Sequence, residues 1–214
     1  MRTRILGWLA AVGLVVGVAA GFGYAPREAT QGNVQRIMYL HVPAVLTAYL
    51  AFGLVLVGSL GYLATRQAGW DRLAAAAAEI GVVFTAVTIA SGSIWGRPTW
   101  GVWWTWDARL TSTAVLLLVY VGYLLLRAMV DDPEARARYG AVVGIVGAAN
   151  IPIVHFSVYW WRALHQPAAM LGPGSAPMPA WMKTVVLVNW LAFTLLFAYF
   201  LSRRLDIARR EEPA

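Results

Sequence analysis

The chain has no cysteine. That excludes disulfides, thiolate metal sites, a thioredoxin-like pair and a C-x-x-C-H attachment motif. It has little charge: Asp, Glu, Lys and Arg make up 13% of its 214 residues, against 60% hydrophobic residues. A soluble domain carries about a quarter charged residues. Mean hydropathy is +0.62, so the deficit is of the kind a bilayer imposes. There is no G-x-x-x-x-G-K-[ST], so no phosphate-binding loop for ATP hydrolysis. There are only three histidines. No soluble domain, low-complexity linker or short-period repeat is visible.

What is present is apolar sequence in lengths of about 20 residues, the length of a membrane-crossing helix. The expected fold is all-α, a single membrane domain over residues 1–214 with about six transmembrane helices. The spans fall at about 5–24, 41–65, 73–93, 110–130, 141–159 and 184–201. The first follows Arg2 and Arg4 and rivals a signal peptide. It is long for one, and Pro26 follows without a clear cleavage site, so it reads as a retained helix.

The net charge of +7 would raise nucleic acid as a partner in a soluble protein. Here the cations sit mainly between apolar runs, which suits loops at an anionic lipid surface and not nucleic acid. With a cytoplasmic N-terminus, eleven Lys/Arg fall on the cytoplasmic side. Six fall outside: Arg27, Arg36, Arg97, Arg109, Arg162 and Lys183. The bias places both termini in the cytoplasm and the segment 95–107 outside.

That segment, with the two residues after it, reads WGRPTWGVWWTWDAR. It holds five of the eleven tryptophans: Trp95, Trp100, Trp103, Trp104 and Trp106. An aromatic belt needs one or two Trp per helix end, as Trp8, Trp70, Trp181 and Trp190 supply. Five in one loop point instead to an amphipathic shelf for a flat ligand. The expectation is that Pro98 ends the preceding span. A helix after it would put Trp100, Trp103, Trp104 and Asp107 on one face. Gly96 and Gly101 would let a planar ligand come close. Asp107 is equally explained as a helix cap. Arg97 and Arg109 either snorkel or meet carboxylates of a ligand.

His41 lies at the outer end of the second span and His165 in the last outer loop. A lone loop histidine is usually solvated. Two at one depth beside a tryptophan shelf suit axial ligation of heme iron, with the arginines near the propionates. His155, inside the fifth span near Asn150, reads as an interhelical hydrogen-bonding group. Glu79 is the one carboxylate well inside the bilayer, either a proton site or a protonated, hydrogen-bonded group.

WGRPTWGVWWTWDARLTS resembles, over its whole length, the signature of the tryptophan-rich "WWD" heme-handling family of cytochrome c biogenesis. GNVQRIMYLHVPA and NIPIVHFSVYWWRALHQP resemble the stretches carrying that family's two outer histidines. The size and six-span layout are similar to its short members, over roughly residues 20–200. The resemblance implies heme b held transiently on the outer face of a bacterial inner (plasma) membrane, with His41 and His165 as axial ligands. It implies delivery to a periplasmic-side heme chaperone rather than catalysis. Implied partners are an ABC-type permease and ATPase pair and a small single-span membrane subunit. Two alternatives are an electron-transfer cytochrome of the b type and a transporter centred on Glu79 and His155.

Overall fold

The computed structural model describes residues 2–161, 163–165 and 178–210. Arg162 and much of the Pro/Gly loop between the last two spans lie outside the described residues. Among the described residues six long helices account for the fold: α1 (Arg2–Val18), α2 (Met38–Thr65), α3 (Ala68–Trp100), α4 (Ala108–Met129), α5 (Pro133–Trp160) and α6 (Ala180–Arg210). A π turn, Ala19–Tyr24, extends α1, and a 3-10 turn, Val34–Ile37, leads into α2. Each of the six is long and apolar enough to cross a membrane. The protein is therefore a polytopic, all-α membrane protein. No ladder is needed, because a helix satisfies its own backbone groups where water is absent.

The helices start and stop on local signals. Asp107 accepts the Leu110 N–H at 2.9 Å and caps α4. Asp132 accepts the Ala135 N–H at 2.7 Å, and Pro133 occupies the first position of α5. Arg66, at φ +60°, closes α2, and Gly101, at φ +81°, closes α3.

Packing is led by α2 against α3, α1 against α6 and α4 against α5. Buried Ala44, Ala48, Ala51, Ala74, Ala77 and Ala78 let α2 and α3 approach closely. Phe52 of α2 stacks on Tyr120 of α4, with ring centroids 3.7 Å apart and planes 7° apart. Asn189 of α6 donates to the Gly17 carbonyl at 3.0 Å and ties α1 down. The outward faces carry Trp8, Val15, Leu118 and Leu125, all exposed. In water such faces would form a large apolar patch; in lipid they are solvated.

Two expectations are corrected. Pro98 does not end the third span: α3 continues through it to Trp100. The segment after Gly101 is not helical up to Asp107, so Trp103, Trp104 and Asp107 share no helical face. Of the two readings of Glu79, a proton site or a group hydrogen-bonded to another helix, the structure shows the hydrogen bonds to another helix. Arg204 of α6 donates to it through Nε (2.5 Å) and through the second terminal guanidinium nitrogen (2.6 Å).

Candidate functional site

The site lies where the tryptophan end of α3, the start of α2, the start of α4 and the segment after α5 converge. These elements enclose a cavity of about 180 Å³. Its walls are largely apolar, with Val42, Val45, Leu46 and Ile89 among them.

His41, 8% exposed, points from the first turn of α2 across to α3. Its Nδ1 lies 3.1 Å from Ser91 Oγ. The Ser91 hydroxyl directs its own proton to the Val87 carbonyl, 2.7 Å away. With the hydroxyl proton on that carbonyl, Ser91 would accept from His41 and place the imidazole proton on Nδ1. That tautomer leaves a lone pair on Nε2, the arrangement of a histidine set to bind a metal. Gly92 makes room for the ring: a Cβ there would lie 3.0 Å from His41 Cε1.

His165 approaches from the other side. Its ring centroid is 6.4 Å from that of His41, with planes 33° apart. A ligating imidazole nitrogen lies about 2 Å from its metal and about 1 Å ahead of its ring centre, so two rings across one iron have centres about 6 Å apart. The centroids of His41 and His165 have a separation of that size. Trp95 meets His41 edge-on at 5.8 Å, and Trp100 lies tilted against His165 at 5.7 Å. The Trp95 indole is oriented by its own donor, which reaches Gln31 Oε1 at 2.9 Å.

Arg109, on the first turn of α4, donates to His165 Nδ1 at 3.2 Å and to the His155 carbonyl at 2.7 Å. Among the described residues, its buried Nε has no acceptor, and neither has the indole nitrogen of Trp104. Buried donors left without acceptors are costly. Two of them on one cavity wall fit a ligand that brings anionic oxygens.

The structure divides the residues singled out from sequence. His41, His165, Trp95, Trp100, Trp104 and Arg109 all line the cavity. Trp103 and Trp106 do not, being 59% and 80% exposed. Arg97 is exposed and donates back to the Gly101 carbonyl at the end of its own helix. Asp107 caps α4 and accepts from the Thr105 hydroxyl. Gly96 lines the cavity, but the space beside it is taken by the Trp100 ring at 3.1 Å. Gly101 serves as the helix terminator. Arg36, one of the outer cations, is committed to the Phe22 and Ala25 carbonyls that end the first helix. His155 lies deeper in the cavity wall, its ring edge-on to Tyr49 at 6.3 Å.

Gln31, Ser91, Gly92 and Tyr49 also belong to the site and escaped the sequence reading. Ser91 and His41 are 50 positions apart, and Trp95 and Gln31 are 64. Only the pairing of α2 with α3 brings them together. A small residue at helical spacing before the tryptophans was the one visible cue.

Comparison with known proteins gives a consistent result. Residues 1–214 match the family model described as heme exporter protein C. The chain is 42% identical to the heme exporter protein C of Bradyrhizobium diazoefficiens over 215 residues, covering 98% of this chain and 81% of that protein. It is 40% identical to that of Escherichia coli K12 over 194 residues, covering 89% and 78%. It is 37% identical to that of Paracoccus denitrificans over 222 residues, covering 100% and 92%.

Proposed function

The chain belongs to the heme exporter protein C family, and we propose that its cavity holds heme b transiently, between His41 and His165, for transfer to another protein. It is a heme-handling membrane subunit of a cytochrome c biogenesis system. The observation that carries the site assignment is the pair of imidazoles with ring centroids 6.4 Å apart on the cavity wall, His41 set against Ser91 and His165 against Arg109.

A cavity of about 150 Å³ accommodates benzene. One of about 180 Å³ admits only part of a porphyrin. The macrocycle therefore enters by an edge and lies partly among Trp95, Trp100 and Trp104. Partial enclosure suits a cargo that must leave. Arg109 Nε and Trp104 Nε1 are the donors that meet its carboxylates, in place of the wider arginine set that includes Arg97. Exposed Trp103 and Trp106 give an accepting heme chaperone an aromatic surface beside the cargo. An ABC-type permease and ATPase pair and a small single-span subunit complete the assembly. The cation bias sets this end on the outer face of a bacterial inner membrane, with both termini cytoplasmic.

An electron-transfer cytochrome is the weaker reading. A buried bis-histidine heme needs two intramembrane histidines, and the chain has three in all, of which two are at the tryptophan end.

The test is an absorption spectrum of the purified protein in detergent, loaded with heme. The wild type is expected to give a six-coordinate, low-spin spectrum. His41→Ala and His165→Ala each lose it, and the double variant loses most of its heme. Normal occupancy in the double variant would overturn the assignment.

A further inference from the structure

The two histidines of the pair are in opposite tautomers. His41 donates from Nδ1 to Ser91, as derived above, so its Nε2 is ready for iron. His165 cannot do the same. Its Nδ1 faces a guanidinium N–H of Arg109 at 3.2 Å. A guanidinium only donates, so Nδ1 accepts. A neutral His165 then carries its proton on Nε2, the ring nitrogen that Arg109 leaves for a ligand bond.

We infer that Arg109 is a latch: it holds His165 in the tautomer that cannot ligate through Nε2, and the cargo's own carboxylate releases it. This rests on the reading of the histidines as heme ligands. Three observations support the latch. Arg109 is fixed at its other end by the His155 carbonyl at 2.7 Å, so it is held beside His165 rather than left to wander. Its buried Nε has no acceptor among the described residues, so an anionic oxygen arriving in the cavity has a donor to bind. His165 follows the end of α5, where the described residues 163–165 are not helical, whereas His41 is set into α2. One ligand is preset and the other is conditional.

Capture then has two steps. Iron first binds the His41 Nε2 lone pair. The carboxylate draws the guanidinium from His165 Nδ1. His165 Nε2 gives its proton to water, Nδ1 takes one, and Nε2 forms the second bond to iron. No proton is gained or lost overall, and iron keeps its oxidation state. Run backwards, Arg109 recaptures Nδ1 and loosens the second ligand, which makes the hold reversible.

The device is testable with and without heme. In the heme-free full-length protein, ¹⁵N-histidine NMR, assigned with His41→Gln and His155→Gln variants, reads the tautomers directly. His165 is expected to show a protonated Nε2 and an unprotonated Nδ1, and His41 the reverse. In stopped-flow mixing with ferric heme, a five-coordinate species should form in a phase that depends on heme concentration. A slower, concentration-independent phase then gives the six-coordinate spectrum. Arg109→Met should speed the slower phase at least tenfold. Heme dimethyl ester, which lacks the carboxylate charge, should stall at the five-coordinate stage in the wild type and proceed in Arg109→Met.

The failures are distinguishable. If the final wild-type spectrum is not that of two imidazoles, the ligand reading falls and the latch with it. If that spectrum forms in a single concentration-dependent phase, or His165 is protonated on Nδ1, the latch alone falls. The NMR arm uses the unmodified Arg109 protein, so misfolding of Arg109→Met cannot shield the inference.

Discussion

Two small residues on α3 set the direction of His41. Ser91 accepts its Nδ1–H, and Gly92 leaves the ring its space. Removing the acceptor of a ligating histidine costs about 10–100-fold in metal affinity. Ser91→Ala is expected near the lower end, about tenfold weaker heme binding by spectroscopic titration, because the ring keeps its packing on α3. Gly92→Ala works by shape alone. A methyl 3.0 Å from Cε1 displaces the ring by a few tenths of an ångström. A shift of about 1 Å at a reacting group can cost 100-fold, so a few-fold loss of affinity is expected with the fold intact. Neither residue stood out in the sequence, whereas the histidines and tryptophans did. Scarcity made them visible: three histidines, two flanking a cluster of five tryptophans. Serine and glycine are common in apolar helices, and their role arises only from a contact between two helices.

At the scale of the element, Asp107 separates structure from chemistry. Its Oδ1 caps α4 at 2.9 Å, and that helix carries Arg109 on its first turn. Asp107→Ala removes the cap, worth about 1 kcal/mol. For a chain of this length that is roughly 2–4 °C in melting temperature. Asp107→Asn keeps a side-chain oxygen for the same N–H and is expected to melt with the wild type. If the asparagine variant loses heme while keeping its melting temperature, the carboxylate charge acts beyond capping. The number and order of helices were legible because apolar runs of bilayer length are unambiguous. Their ends were not. Pro98 reads as a stop, since proline has no N–H and clashes with the preceding turn. Here it lies near the end of α3, where little helix remains to be disrupted. The last turn is held by the Gly101 N–H on the Arg97 carbonyl at 3.0 Å and the Thr99 hydroxyl on the Trp95 carbonyl at 2.8 Å. That extra turn keeps Trp100 on the α3 helix, and the tryptophans line a cavity instead of one helical face. At the other end α6 carries its helix into a charged stretch, Arg203 to Arg210, because polar residues outside the bilayer are no obstacle to a helix already nucleated.

Across the whole molecule, the cavity lies at one end of the bundle and the ion pairs at the other. Arg109 and Arg127 both lie on α4, 18 residues apart, or about 27 Å at 1.5 Å per residue. Arg127 grips Asp71 of α3 with two bonds of 2.6 and 2.7 Å. Their side chains are only 14% and 16% exposed. The Arg204–Glu79 pair joins α6 to α3 but is 37% exposed at both partners. Losing one member of a buried pair strands the other charge at about 3–5 kcal/mol, whereas an exposed pair is worth about 1 kcal/mol or less. Asp71→Ala should therefore lower the melting temperature in detergent well below that of Glu79→Gln. Adding Arg127→Met to Asp71→Ala should restore much of the loss, since the stranded charge is gone. Heme affinity should be unchanged in all three, because the site draws its geometry from the far ends of the same helices. Ser91→Ala should do the opposite, weakening heme binding without moving the melting temperature. A transporter centred on Glu79 predicts otherwise: Glu79→Gln would then change function while Ser91→Ala would not. Measuring heme titration and melting on the same four variants decides between them.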